Sequence, residues 1–137
     1  MKLSNTSQYA IRILAHIAAQ EENSLISASQ ISDTLHIPYK FLTKIMTELV
    51  KADLVISIRG REGGFKLKKK PSNIRIDDIL KIFHDSTENE QCLLGIGFCD
   101  SVKKCALHDQ WMKPKLLLQK IFQESSLADI AHQGSKI

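Results

Sequence analysis

The most constraining feature of this sequence is a pair of helical patterns separated by only about three residues. The first pattern opens at Ser27, where Ser27-x-x-Gln30 has the form of a capping box that satisfies backbone N–H groups at a helix start. The second begins at Pro38, which stands where proline is favoured in the first turn of a helix, and runs to about Lys51. Two helices joined by such a short turn predict a helix-turn-helix.

The spacing of apolar residues changes directly after this pair of helices. Residues 54–58 are rich in β-branched side chains and predict a strand, and residues 65–68 alternate apolar and basic side chains, which predicts a returning strand. Residues 59–64 read RGREGG, a turn that needs the backbone freedom of glycine. A hairpin in this position predicts a wing, so we expect a mainly α fold with a small β-hairpin wing.

Helical spacing also predicts a first helix at about 7–20, a short helix at 76–83 and a long one at about 106–124. The apolar residues expected to share one face of the long helix are Leu107, Trp111, Leu118, Ile121 and Phe122. From residue 125 on we expect a short turn or partial disorder. We therefore divide the chain into a winged helix-turn-helix domain at 1–83, a cysteine-containing loop at 84–105, and a C-terminal helix with its tail at 106–137.

Positive charge is concentrated in the second helix and the hairpin. Residues 36–70 hold nine Lys or Arg against three acids, whereas residues 71–91 hold two against five, in a chain of net charge +4. A basic surface on a helix-turn-helix favours double-stranded DNA as the partner, with a solvated basic face as the alternative. The scattered histidines and the absence of a phosphate loop or nucleophile elbow argue against an enzyme.

Helix-turn-helix geometry suggests a role for each part of this surface. Side chains near the start of the second helix would face the major groove, arginines of the wing would enter the minor groove, and the glycines would let the backbone approach the duplex. The candidate DNA-binding residues are Ser27, Tyr39, Lys40, Thr43, Lys44, Arg59, Gly60, Arg61, Gly63 and Gly64.

All three cysteines lie within fourteen residues, in the pattern Cys92-x6-Cys99-x5-Cys105-x2-His108. An odd, clustered set is unlike a secreted disulfide framework, and with no signal peptide or membrane span it indicates a cytoplasmic protein. Thiolates are soft ligands for iron–sulfur clusters and zinc. The wide gaps favour a cluster over a Cys3His zinc site, and buried apolar thiols are the third interpretation.

Several short motifs together resemble the IscR/NsrR-type regulators of the Rrf family, and the similarity runs from Met1 to about Ala128. The motifs are Met1-Lys2-Leu3, Tyr9-Ala10, Ile58-Arg59-Gly60, Gly63-Gly64-Phe65-x-Leu67 and Cys105-x-x-His108-x-x-Trp111. The resemblance implies a homodimeric winged helix-turn-helix repressor or activator that binds a pseudo-palindromic operator. It also implies that the helix at about 106–124 forms the dimer interface.

By the same resemblance, the three cysteines and His108 match the ligand set of a two-iron cluster, with a four-iron cluster as the other form. Operator affinity would then follow iron–sulfur, redox or nitric oxide status, and the alternative is a cluster-free thiol-redox or zinc-dependent regulator. Three departures matter. The gap between Cys92 and Cys99 is one residue longer than the usual IscR spacing. Gln8 stands where some NsrR-type members have an acidic ligand, and Thr43 stands where IscR has a glutamate that adjusts operator choice.

Overall fold

The computed structural model describes residues 3–86 and 91–131, so Met1 and Lys2 of the first family motif lie outside the described residues, as do 87–90 and 132–137. The chain is mainly helical with one antiparallel hairpin, as the sequence predicts. Its elements are α1 (Asn5–Ala18), α2 (Ala28–Leu35), α3 (Tyr39–Lys51), β1 (Val55–Ile58), β2 (Gly64–Leu67), a 3-10 turn (Pro71–Asn73), α4 (Ile76–Ile82), α5 (His108–Glu124) and α6 (Leu127–Ile130).

Side-chain caps set the starts of the first two helices. The Ser4 hydroxyl accepts a hydrogen bond from the Ser7 amide at 3.2 Å, so α1 starts two residues before the predicted Ser7. The predicted capping box of α2 is confirmed, because the Ser27 hydroxyl accepts from the Gln30 amide at 3.2 Å while Gln30 Oε1 accepts from the Ser27 amide at 2.9 Å. Pro38 is the N-cap of α3, one position before the predicted first turn.

The helical core is built from apolar residues that recur at helical spacing. α1 contributes Ile13 and Leu14, and both are fully buried. Leu42 of α3 and Ile79 of α4 pack into the same cluster. His36 adopts the left-handed conformation with φ 54°, which ends α2 and turns the chain into α3 after three residues. The predicted helix-turn-helix is therefore present and stands on α1.

The hairpin is joined to the start of α2 by a third extended segment that the sequence analysis did not predict. Val55 pairs with Leu67 and Ile58 with Gly64 in β1 and β2. Ile26 forms an antiparallel bridge with Phe65, in which the Ile26 amide donates to the Phe65 carbonyl at 3.1 Å and the Phe65 amide donates back at 2.8 Å. This bridge fixes the wing against the helix-turn-helix.

The prediction of a turn or disorder after residue 125 is wrong for residues 125–131, and residues 132–137 lie outside the described part of the chain. Ser126 caps α6 through a capping box with Asp129, and Leu127 is completely buried. The Leu127 amide donates to the Ile74 carbonyl at 2.7 Å, and the Ile76 amide donates to the Ser125 carbonyl at 3.0 Å. The segment is ordered because it completes the core beside α1.

The apolar face predicted for the long helix is divided between two sides of α5. Trp111, Leu118 and Phe122 are half-buried, whereas Ile121 is 55% exposed. A helix advances by about 100° per residue, so Ile121 lies over Leu117 on the outer side. α5 also starts at His108 and not at Ala106, which leaves Leu107 as its N-cap. In the described chain, no helix combines the length and the apolar character needed to cross a membrane.

Replacing the buried leucine of α6 tests whether this segment belongs to the core. We expect Leu127→Ala to lower the free energy of unfolding by about 2–5 kcal/mol, because it removes buried methyl groups and leaves a cavity. Urea unfolding followed by circular dichroism measures the change. The control is Ala128→Ser at the exposed neighbouring position, and an equal effect of both substitutions would contradict the assignment.

Candidate nucleic-acid interface and cysteine pocket

The outer face of α3 presents cationic and hydroxyl groups in its first two turns. Tyr39, Lys40 and Lys44 are exposed, and neither lysine forms an ion pair with any described residue. The Thr43 hydroxyl donates to the Lys40 carbonyl at 3.0 Å and is half-buried. Because that hydroxyl proton is engaged within the helix, the two lysines and Tyr39 are the main donors that α3 offers to a partner.

The tip of the hairpin carries two exposed arginines. Arg59 and Arg61 flank Gly60, and neither forms an ion pair in residues 3–86 or 91–131. The turn is closed by the Gly63 amide, which donates to the Gly60 carbonyl at 3.1 Å. Gly60 has φ 115°, and the space where its Cβ would stand is empty. The tip is therefore exposed and cationic.

Besides shaping the turn, Gly63 and Gly64 allow close packing inside the chain, which the sequence analysis did not predict. A Cβ on Gly63 would overlap the carbonyl group of Ile58. A Cβ on Gly64, at φ 152°, would lie 2.7 Å from the Ile26 carbonyl oxygen. These two glycines let three extended segments approach one another, and the Ser27 hydroxyl is likewise engaged as a helix cap.

All four predicted metal ligands line one cavity of about 250 Å³ between the loop and the start of α5. Cys92 is buried, Cys99 and Cys105 are half-buried, and all three are free thiols. The Cys99 Sγ lies 3.4 Å from Nδ1 of His108, the first residue of α5. Within the described ranges, no three His, Cys, Asp or Glu side chains are arranged to hold a single metal ion.

The sulfur of Cys92 accepts hydrogen bonds from backbone groups of its own loop. The N–H groups of Leu94 and Ile96 donate to this sulfur and lower the pKa of the thiol; burial opposes them and the Cys105 thiol adds to their effect. The loop is closed by the Cys92 amide, which donates to the Gly97 carbonyl at 2.9 Å. Cysteine binds metals as its thiolate, and N–H groups that donate hydrogen bonds to the sulfur help to set the reduction potential of an iron–sulfur cluster. These donors fit an iron–sulfur cluster.

Two acidic residues outside the predicted site fasten the chain that leads into this loop. Buried Asp77 of α4 accepts from the Ser86 hydroxyl at 2.7 Å and pairs with Lys81 at 3.0 Å. Asp85 accepts from the Ser4 amide at 2.8 Å. Burial alone would raise the pKa of Asp85, but hydrogen bonds from Ser4 and Ser7 outweigh it and lower that pKa. The only sign of these contacts in the sequence is the acidic character of residues 71–91.

A helix-turn-helix with an exposed cationic second helix, followed by a cationic hairpin, is the architecture of winged helix-turn-helix transcription regulators. Residues 3–133 match the model of the Rrf2 family, described as an iron-dependent transcriptional regulator. The chain belongs to the Rrf2 family and is a DNA-binding transcription regulator, not an enzyme.

Relatives from other bacteria carry descriptions that agree with this assignment. A protein of Aquifex aeolicus described as an HTH-type transcriptional regulator is 35% identical over 138 residues, covering 99% of this chain and 95% of its own length. The HTH-type transcriptional regulator NsrR of Shouchella clausii is 37% identical over 92 residues, covering 67% of this chain and 62% of its own length.

Solved structures share the fold at lower identity. CymR, the global cysteine regulator of B. subtilis, superposes with a TM-score of 0.81 at 23% identity and covers 96% of both chains. IscR of T. potens superposes with a TM-score of 0.73 at 22% identity, covering 94% of this chain and 85% of its own. The predicted family and fold class are thus confirmed.

The close approach at Gly63 can be tested without DNA. We expect Gly63→Ala to lower the free energy of unfolding by about 2 kcal/mol or more, because the hairpin must open to relieve the overlap with Ile58. Glu62→Ala, at the exposed neighbouring position of the same turn, is the control. Chemical denaturation compares the two variants, and equal stability would show that Gly63 is not required by the fold.

Proposed function

We propose that this chain is a dimeric cytoplasmic repressor or activator whose affinity for a pseudo-palindromic operator is controlled by an iron–sulfur cluster. The observation that carries the proposal is that Cys92, Cys99, Cys105 and His108 all line the same cavity. These residues would hold the cluster. A two-iron form is favoured by the resemblance of these residues to the IscR-type ligand set, and a four-iron form, which also takes four ligands, is the alternative.

The first half of α3 is proposed to enter the major groove, with Tyr39, Lys40, Thr43 and Lys44 nearest the bases and phosphates. Thr43 would act as an acceptor or through its methyl group, because its hydroxyl proton is bonded within the helix. The Arg59–Arg61 tip is proposed to enter the minor groove, where a narrow A·T tract attracts guanidinium groups. Gly63 and Gly64 would act indirectly, by giving the wing its shape.

The cysteine pocket joins two parts of the chain that ligation would couple. Its loop is fastened to the DNA-binding unit through Ser86 and Asp77, and its last ligand, His108, is the first residue of α5. When bound, a cluster supplies a group whose charge and integrity respond to iron, oxidants or nitric oxide. Loop position and α5 position would therefore change together.

Regulators of the Rrf2 family typically dimerise, and α5 offers an outward apolar surface for this purpose. Leu116, Leu117 and Ile121 on this helix are all exposed. Pairing them across a two-fold axis would place two copies of α3 in successive major grooves. Half-sites would then lie about one helical turn, 34–36 Å, or a multiple of it apart.

A cluster-free regulator that responds through its thiols, or through zinc, is the alternative. It shares the DNA-binding surfaces and differs only in what occupies the cysteine pocket. A solved structure with this fold is described as a global cysteine regulator, which is why the alternative is kept, but at 23% identity the likeness extends only to the fold. Metal and sulfide analysis of anaerobically purified protein separates the alternatives.

The DNA-binding assignment predicts a difference between the two ends of α3. We expect Lys40→Ala to weaken operator binding and to reduce the salt slope by about one per phosphate contact removed, because fewer counterions are released. Lys51→Ala is the matched control, since Lys51 is also an exposed lysine but ends the helix and pairs with Glu48. Fluorescence anisotropy between 50 and 200 mM salt measures both, and equal slopes would remove Lys40 from the interface.

The proposed position of the wing in the minor groove predicts that two residues of its tip contribute differently to operator affinity. We expect Arg59→Ala to cost about 1–3 kcal/mol of operator affinity if the guanidinium occupies the minor groove. Glu62→Ala in the same turn should leave affinity unchanged or strengthen it slightly, because it removes a negative charge from the tip. A mobility-shift titration at fixed salt gives both values. Unchanged affinity of the arginine variant would place the tip outside the complex.

The cluster assignment predicts loss of a chromophore. Anaerobic reconstitution with iron and sulfide should give visible absorption and a changed operator affinity in the unaltered chain, and Cys92→Ala should lack both. Ser101→Ala, an exposed position in the same loop, is the control. A reconstituted Cys92→Ala protein that keeps the absorption and the change in affinity would contradict the ligand set, and stoichiometric zinc without iron would favour the alternative.

A further inference from the structure

The outward face of α3 continues beyond the residues that the sequence analysis selected as candidates. A helix advances by about 100° per residue, so seven residues complete two turns less about 20°. Thr47 therefore lies on the same face as Lys40, on the side away from the buried Ile45 and Leu49. Like Lys40 and Lys44, Thr47 is exposed. The solvent-facing stripe of α3 thus includes a threonine about one turn past its lysines.

Four outward residues of α3 have the spacing of a helix that reads the major groove. Lys40, Thr43, Lys44 and Thr47 stand at i, i+3, i+4 and i+7. The recognition helix of a homeodomain reads the major groove with four side chains at this same spacing. Between the first and the last of them the helix rises by about 10.5 Å, which is the length of about three base pairs.

The hydroxyl group of Thr47 is already engaged inside the helix. It donates a hydrogen bond to the Thr43 carbonyl at 2.9 Å. A threonine hydroxyl has a single proton, so Thr47 has none left for the acceptor atoms that guanine, adenine and thymine present in the major groove. The same bond also selects the side-chain rotamer. What Thr47 offers to a base pair is therefore its methyl group, with the hydroxyl oxygen as an acceptor.

We infer that Thr47 is a specificity-determining residue whose methyl group recognises the C5-methyl group of a thymine in the operator. This inference rests on the proposed entry of α3 into the major groove and adds the base that one further side chain reads. The thymine methyl is the apolar group among the base edges of the major groove, and the threonine methyl is one of the side-chain groups that contact it. A rotamer already fixed by the bond to Thr43 lowers the entropy cost of this contact.

The lysines beside Thr47 act differently and can be separated from it by salt. Lys40 and Lys44 would neutralise phosphates, and such contacts position the helix without reading the sequence. Each phosphate contact releases counterions and weakens as salt is added. A contact between two methyl groups depends on buried apolar area and releases no counterions. Loss of the Thr47 methyl should therefore lower affinity by the same factor at low and at high salt.

Uracil substitution in the bound DNA tests the inference, because uracil differs from thymine only by lacking the C5-methyl group. The full chain, in the reconstitution state that binds DNA more tightly, first selects its binding sequence from a random DNA library. Each symmetry-related pair of thymines in that sequence is then replaced by uracil, and affinity is measured by fluorescence anisotropy. We expect one pair whose replacement weakens binding about fourfold per half-site, the value of one buried CH₂ group.

Variants of Thr47 separate its methyl group from its hydroxyl group. Thr47→Ser removes the methyl group, and we expect it to weaken binding about fourfold per half-site and to be insensitive to uracil at the pair identified above. Thr47→Val keeps the methyl group and should retain both the affinity and the sensitivity to uracil. Thr34→Ser, at an exposed threonine of α2, is the matched control and should change neither. Circular dichroism verifies that all three variants fold.

The possible failures are distinguishable. If uracil at every thymine costs the same in Thr47→Ser as in the unaltered chain, the inference is overturned and the placement of α3 in the major groove stands. Equal losses in Thr47→Val and Thr47→Ser would assign the contact to the hydroxyl oxygen and would also overturn it. If no thymine responds to uracil and Lys40→Ala leaves the salt slope unchanged, both the inference and the placement of α3 are overturned.

Discussion

The pairing of Ile26 with Phe65 is the interaction on which the DNA-binding surface depends. Two backbone hydrogen bonds, of 3.1 and 2.8 Å, join the residue just before α2 to the second strand of the hairpin. The distance between the arginines of the tip and the lysines of α3 is set by this bridge. It depends on the absence of a Cβ at Gly64, since that atom would stand only 2.7 Å from the Ile26 carbonyl oxygen.

A second constraint comes from the return of the chain at its C-terminal end. Leu127 of α6 is buried beside α1, and its amide donates a hydrogen bond to the Ile74 carbonyl. The C-terminal end of α5 is thereby attached to the DNA-binding unit. The other end of α5 carries His108 at the cysteine pocket. The loop before it is fastened through Asp77 and Asp85. A ligand in that pocket therefore acts on a segment whose two flanks are both attached to the core.

The family assignment and the geometry address different parts of the function. Membership of the Rrf2 family establishes DNA binding and transcription control. The proposal of a cluster rests on the chemistry of the pocket, which brings three thiols and an imidazole to one cavity and provides backbone N–H groups at the Cys92 sulfur.

The sequence by itself determined the features that depend on neighbours along the chain. Ser27 and Gln30 form the capping box that their spacing predicts, the three residues before Tyr39 make the turn, and the RGREGG stretch makes a hairpin. These follow from local hydrogen bonds and from backbone conformations that one or two residues control. The grouping of the cysteines with His108 was also readable, because all four lie within one loop and the next helical turn.

Only the tertiary structure decided which distant surfaces meet. The bridge at Ile26, the burial of Leu127 and the division of α5 into an inner and an outer face each depend on partners more than ten residues away. No periodic pattern encodes such a partner. The roles of Gly63 and Gly64 could not be predicted in full for the same reason. A glycine in the sequence indicates that the backbone there bends sharply or is closely approached, but only the folded chain shows that the neighbours are the carbonyl groups of Ile58 and Ile26.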